Sequence, residues 1–276
     1  MRTSTQTIGP LLMVAVLGVS AGAPARAGEG GPREMTADRP DKTEVPYTID
    51  PGYIQIEADI ASHNRDFYND DGTRRRETVY MAPNIRIGVW DDTELSIIAP
   101  AYTVMALSER DGGHTRIHGW SDMTVRAKVN LWGNDGEGAT ALGLIPFIKL
   151  PVAAQALGNG AVEGGVGLPF SLKLAGEWEL GAQATLSLNR NAIGNGYDPD
   201  LALSAVLSHP LGAALDGYVE LFGERQTGPD AATVATLDLG LTYQVTATFS
   251  LDCGVNIGLT KAADDLNPFV GFTIRF

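Results

Sequence analysis

From Gly52 onward, apolar and polar residues alternate one for one through segment after segment of the chain. Ile54, Ile56, Ala58 and Ile60 fall on one parity and Gln55, Glu57 and Asp59 on the other, the period of two that a β-strand imposes on its faces. Val79, Met81, Ile85, Ile87 and Val89 stand in the same way against Thr78, Tyr80, Asn84 and Arg86. The clearest instance sets Met123, Val125, Ala127, Val129 and Leu131 against Thr124, Arg126, Lys128 and Asn130. A helix would scatter those charges around its axis. Four further segments alternate as strongly, at Leu180–Leu188, Leu215–Leu221, Leu237–Tyr243 and Phe249–Leu259. Weaker strands fit around Leu95–Val104, Ala139–Leu150, Val166–Leu174 and Leu201–Ser208, and a last one carries Val270, Phe272, Ile274 and Phe276 on one face.

The connections predicted between these strands alternate in length. Long polar loops fall at Ser62–Arg76, Ala106–Gly119, Pro151–Gly165 and Asn189–Asp200, and shorter turns at Trp90–Asp92, Gly133–Gly138 and Ala175–Glu177. Strands with one apolar and one polar face over roughly ten residues, joined alternately by short turns and long loops, predict an all-β fold: a transmembrane antiparallel up-and-down β-barrel of about twelve strands over residues 52–276. A soluble sandwich alternates too. The membrane reading is favoured by apolar faces free of charge in the strong segments, and by Trp90, Trp132 and Trp178, which fall on the short-turn side where an aromatic belt would lie.

Before Gly52 the pattern is different. Arg2, the apolar run Ile8–Val19 and Ala25-Arg26-Ala27 match the three parts of a secretory signal peptide over residues 1–27. Residues 28–51 carry four prolines and many charges without alternation, a leader between export signal and barrel. The formal charge of −13 becomes −15 once Arg2 and Arg26 are removed, which argues against nucleic acid as a partner. Cys253 is the single cysteine, so no intramolecular disulfide is possible, and its apolar parity predicts a small buried hydrophobe.

The segment TADRPDKTEVPYTIDPGYIQIE resembles the amino-terminal signature of the phenol-degradation MetA-pathway family of outer-membrane proteins, through Asp38, Arg39, Pro40, Asp41, Thr43, Glu44, Gly52, Gln55 and Glu57. Here Val45 and Pro46 stand where a serine-led spacer is more usual. GWSDMTVRAKVNLW and LIPFIKLP are similar to two further segments of that family. The resemblance implies a barrel in the Gram-negative outer membrane that passes small, hydrophobic or aromatic solutes passively, with no cofactor. A non-conducting structural or adhesion barrel is the alternative, and a barrel-embedded hydrolase a further one.

With the apolar parity toward lipid, the polar parity lines the lumen. The lining candidates are Glu57, Arg86, Glu94, Arg126, Lys128, Lys149, Asp216, Tyr218, Glu220 and Asp238, together with Lys173, Glu224 and Asp252, the basic group facing the acidic one across the interior. Asp38, Arg39, Asp41, Lys42 and Glu44 form a charged stretch that could enter the lumen as a plug or remain a solvated leader. Gly271, Ile274 and Phe276 resemble the sorting signal shown to the barrel-assembly machinery, with Phe269 at a position that is usually polar. Outer-membrane lipid and lipopolysaccharide are the remaining expected partners; Arg74, Arg75 and Arg76, placed in an outer loop, could bind lipopolysaccharide phosphates, though a merely solvated loop is the reading preferred for them.

His114 and His118, four apart beside Asp111, are spaced like a helical metal pair, but Gly112, Gly113 and Gly119 argue against a helix, and no metal is expected. NDDGTRRRE fails as a calcium loop because Phe67 stands at its first position. His63, His114 and His118 are expected in outer loops and His209 in an inner turn, none with a serine partner, so no residue is assigned catalysis and the chain is not read as an enzyme.

Overall fold

The computed structural model describes residues 31–67, 72–153, 157–191, 194, 196–228 and 231–276; the expected signal peptide lies outside the described residues. Fourteen strands form one antiparallel sheet: β1 (Ile54–Arg65), β2 (Thr73–Trp90), β3 (Thr93–Ile98), β4 (Tyr102–Glu109), β5 (His114–Trp120), β6 (Met123–Trp132), β7 (Thr140–Leu150), β8 (Glu163–Lys173), β9 (Glu179–Arg190), β10 (Tyr197–Pro210), β11 (Leu215–Arg225), β12 (Thr233–Thr246), β13 (Phe249–Gly258) and β14 (Leu266–Arg275). The sheet closes because β1 pairs with both β2 and β14. Closure leaves no edge at that seam, the condition for a sheet to cross lipid. Phe276 completes it, its N–H donating to the Ile54 carbonyl (2.8 Å) and its own carbonyl accepting from the Ile54 N–H (3.2 Å).

Twelve staves are made from these fourteen segments because two staves are broken. β3 and β4 pair in succession with the lower and upper parts of β2, separated by Ala99-Pro100-Ala101. Pro100 cannot donate to a ladder, which accounts for the interruption there. β6 and β5 answer them as partners of β3 and β4, separated by Ser121 and Asp122. β5 pairs with β4 alone.

Three expected loops are shorter than predicted. The strands β1 and β2 run on past the barrel wall, so Arg74, Arg75 and Arg76 lie on a strand, not in a loop. The stretch Ala106–Gly119 is mostly the β4–β5 hairpin, and β9 and β10 take up much of Asn189–Asp200. Alternation in these outer stretches involves charged and hydroxyl side chains, which hides the period.

Outward positions are apolar and exposed, including Ile54, Ile87, Leu95, Leu131, Leu221, Leu239 and Val270. Cys253 belongs with them: it is exposed on the outer face, not buried as predicted. Its parity is apolar because it faces the lipid side, where a soluble fold would have its core. Inward positions are polar and buried, with Arg86, Glu94, Glu220 and Asp238 at 0 % exposure. The protein therefore has its charged groups in the middle and its apolar groups outside. Trp90, Trp132 and Trp178 are all exposed at the short-turn end.

Candidate functional site

Two charged walls face the lumen. One is built by Arg86 on β2 with Arg126 and Lys128 on β6, flanked by Glu57 on β1 and Glu94 on β3. Arg86 donates from Nη1 to Glu57 (2.6 Å) and from Nε to Glu94 (2.7 Å). The other wall is acidic: Glu220 on β11, Asp238 on β12 and Asp252 on β13. Lining residues of opposite sign therefore do pair within the basic wall, but among the described residues the two walls do not meet each other directly. In the structure the leader, residues 31–53, runs between the walls and pairs with each in turn.

The order of charge along the leader fits the walls. Asp38 reaches the basic wall, with Lys128 donating to its carboxylate and Arg126 and Arg86 at 3.3 and 3.4 Å. Arg39 turns the opposite way, to Asp252 (2.6 Å) and Asp59 (2.9 Å). Lys42 continues along the acidic wall to Asp238 (2.8 Å), and Glu44 returns to Arg126. Buried charges of this kind persist only when paired, since an unpaired one forfeits several kcal/mol of hydration.

The backbone of the leader is also bound by lumen side chains, which its lack of regular structure requires. Glu220 accepts from the N–H groups of Lys42 and Thr43 at 2.8 Å each and from the Thr43 hydroxyl at 2.6 Å. Glu57 accepts from Asp38 N–H (3.0 Å), Gln183 from Glu44 N–H (2.8 Å) and Glu94 from Ile49 N–H (2.9 Å). Asn130 donates to the Pro46 carbonyl (2.9 Å). Two inward glycines clear its path: a Cβ at Gly88 would strike the carbonyls of Ile49 and Asp50, and one at Gly271 would overlap the Arg39 guanidinium.

Electrostatics within the leader are uneven. Burial works against ionisation of Asp38, but Arg86, Lys128 and Arg126 outweigh it and hold the carboxyl at about 2. Among the described residues no cation forms an ion pair with Asp41; burial first, and then the neighbouring Glu220 carboxylate, push its pKa well above the ordinary aspartate value. Its side chain lines an inner cavity of 360 Å³ toward the short-turn end, which Asp216 and Tyr218 also line. An outer cavity of 260 Å³ lies on the other side of the leader, bounded by Ile98, Ile145 and Phe147 with Gln183, Thr185 and Arg126. Glu44 lines both, so the leader is the partition between them.

Several candidate residues lie away from this crossing. Lys149 sits near the outer rim with Asp122 (3.4 Å) and Glu163, and Lys173 donates to the Gly136 carbonyl at the inner rim. Gly271 faces inward beneath Arg39, while Ile274 and Phe276 face outward. The sequence places Thr43 only in the family signature and Asn130 only on a polar strand face, and it gives no role to Asn134; the roles of all three depend on the path of the leader. Asn134 accepts from Thr48 N–H at 2.9 Å.

The histidines are on strands, contrary to expectation: His63 on β1, His114 and His118 on β5 and His209 on β10. His114 Nδ1 does lie 3.2 Å from Ser108 Oγ, but among the described residues no carboxylate orients that imidazole as a serine nucleophile would need. Among the described residues no three His, Cys, Asp or Glu side chains gather as a metal site.

Comparison with known proteins agrees with the architecture. A family model described as "Putative MetA-pathway of phenol degradation" matches residues 37–276. No curated protein matches the sequence. An outer-membrane channel of Pseudomonas putida has a similar structure, at TM-score 0.57 and 12 % identity over 81 % of this chain and 95 % of that one. So does the β domain of the Bordetella autotransporter BrkA, at 0.53 and 11 % over 81 % and 99 %. The transport unit of the Escherichia coli autotransporter AIDA-I follows at 0.51 and 12 % over 81 % and 88 %. At such identities the likeness is one of fold.

Proposed function

The chain belongs to that MetA-pathway family, and from this premise we propose that it is an outer-membrane barrel of a Gram-negative cell that passes small hydrophobic or aromatic solutes passively, with the leader as its plug. The observation that carries the reading is the partition of the lumen. Above the leader, Ile98, Ile145 and Phe147 offer an apolar wall beside the hydrogen-bonding groups of Gln183 and Thr185, the mixture that holds a small ring with one polar substituent. Below it, the 360 Å³ cavity is lined by the polar residues Asp41, Glu179, Ser208 and Asp216. Passage from one to the other requires the leader to shift. Each ion pair between leader and wall is then both a lock and a selectivity element.

Proteoliposome swelling tests the proposal, with phenol, benzoate, glucose and glycine as solutes. Uptake of the aromatic solutes above that of glucose by the full mature chain is expected, and deletion of Met35–Glu44 should raise uptake of all four. Equal and negligible uptake by both proteins would overturn it. One observation favours a second reading, a non-conducting structural barrel: four of the five charges between Asp38 and Glu44 are paired with a wall. Such a network could hold the lumen permanently shut, and the deletion variant would then conduct while the full chain does not.

A further inference from the structure

The outer surface of the barrel carries a row of arginines that the lumen does not explain. Directly opposed residues of neighbouring strands share a face, and the register runs Val270, Ala61, Tyr80, Tyr102, Trp120 across β14, β1, β2, β4 and β5. Val270 is on the apolar exterior, and Tyr80 and Trp120 are exposed beside it, so this row points outward. Four residues farther along the same strands, Arg65 opposes Arg76, Arg76 opposes Ala106 and Ala106 opposes Arg116. An even step keeps the face, so these arginines point outward as well.

Their height can be placed. Trp90 and Tyr80 bound the outward face of β2, and the strand between them is roughly 33 Å long. Tilted at ~45°, it rises by about the ~25 Å of an outer-membrane apolar band. Arg76 thus lies just beyond the hydrocarbon on the long-loop side, level with the headgroups of the outer leaflet. Among the described residues no carboxylate is within ion-pair reach of Arg65, Arg76 or Arg116. Arg75, one residue from Arg76, turns inward to Glu77 and Asp264 instead. The half-buried Arg76 Nε has no hydrogen-bond partner. In a chain of net charge −13, an arginine row free of acids is a directed feature.

We propose that this row binds the phosphate groups of the lipid A portion of lipopolysaccharide. Ala106 leaves a recess between Arg76 and Arg116, two strand spacings or roughly 9.6 Å apart, in which two guanidinium forks can grip one phosphate from both sides. Between the arginines and the aromatic row, His63 contacts Thr78 (2.9 Å) and His118 contacts the Tyr102 hydroxyl (2.9 Å), supplying donors for sugar hydroxyls. Tyr80 and Trp120 then meet the upper ends of the acyl chains.

The test uses the full mature chain in lipid nanodiscs, with retention of lipid A read by native mass spectrometry. Bisphosphorylated lipid A should be retained at least about tenfold more strongly than its dephosphorylated form, and R76Q/R116Q should lose that preference. R76K/R116K should keep part of it. If the double variant fails to assemble, R116Q alone serves, because β5 pairs only with β4 and does not close the barrel. Equal retention of the two lipids by the wild-type protein, or an unchanged preference in the glutamine variants, would overturn the proposal. So would displacement of lipid A by inorganic phosphate at comparable concentration, which would mark a free-anion site. Solute uptake by R76Q/R116Q should match the wild type, keeping this result separate from the fate of the lumen reading.

Discussion

The guanidinium of Arg39 lies over the backbone of Gly271, with no room for a side chain between them. From there it reaches Asp252 at 2.6 Å and Asp59 at 2.9 Å, and its Cζ stands 5.8 Å from the centre of the Phe269 ring. A methyl group at position 271 would displace Arg39 and leave Asp252, almost wholly buried, without its cation. Loss of one partner from a buried pair costs about 3–5 kcal/mol. Gly271→Ala should therefore loosen the leader, seen as rapid protease cleavage between residues 33 and 42 and a several-fold rise in single-channel conductance. Because Arg39→Ala removes the same contact, the double variant should be no looser than either single one. An additive effect would show that Gly271 acts through barrel closure instead, through its approach to the Ala58 carbonyl.

Asp38 sits among three cations, and its removal has a signed consequence. Asp38→Asn leaves Arg86, Arg126 and Lys128 with only Glu57, Glu94 and Glu44 as neutralising neighbours, and Glu57 and Glu94 are already engaged by Arg86. Lys128 then keeps only Glu94, at 4.0 Å. The leader should release, and the lumen should shift toward anion preference. A reversal potential measured across a KCl gradient checks this, and one that moves toward cation preference would contradict the assignment.

Seating of the leader should depend on pH through two aspartates of opposite behaviour. Asp38 is held at about 2 when seated, below its ordinary value of 3.8, so its contribution is present above about pH 4 and is lost as pH falls toward 2. Asp41 is raised when seated, so the seated leader binds its proton more tightly than the released one. Its protonated form is tolerated in mild acid; as pH climbs past the ordinary value and through the raised one, seating weakens. Conductance should be lowest in mild acid and rise as pH passes through the raised value of Asp41. Asp41→Asn should abolish the rise on the alkaline side and leave the acid limb intact.

Which parts of this were legible in the sequence depends on what each residue faces. Strand periodicity was readable wherever one face meets lipid, as in Met123–Leu131, because lipid tolerates no charge there. It is obscured at Thr73–Arg76, where both faces meet polar surroundings, and the pattern there predicts a loop in place of the strand. Arg86, Arg126, Lys128, Glu220 and Asp238 were found because a charge on one parity of an otherwise apolar strand has few explanations. That the charges from Asp38 to Glu44 could enter the lumen is one of two readings of the sequence, but which of them meets which wall residue is not legible there, since Asp38 and Lys128 are ninety residues apart and local pattern carries no trace of the meeting. Phe269 shows the same limit. It stands on the polar parity, where its ring covers Gly254 and faces Arg39, and only the fold supplies those neighbours.

Cys253 gives a direct probe of the inside-out arrangement. It opposes Leu241 on β12 and Val270 on β14, both exposed on the apolar exterior, so it should lie within the acyl chains. A nitroxide attached there should be relaxed by dissolved oxygen, which partitions into hydrocarbon, and be shielded from a water-soluble nickel chelate. Ser250, three residues earlier, points the opposite way and lines the inner cavity. In a Cys253→Ser background, Ser250→Cys should react with a small water-soluble maleimide added from the short-turn side. Release of the leader should speed that reaction, because the same cavity is lined by Arg39, Asp41 and Thr43. Nickel accessibility at Cys253, or an inert Ser250→Cys in the leader-deleted protein, would place the two faces the wrong way round.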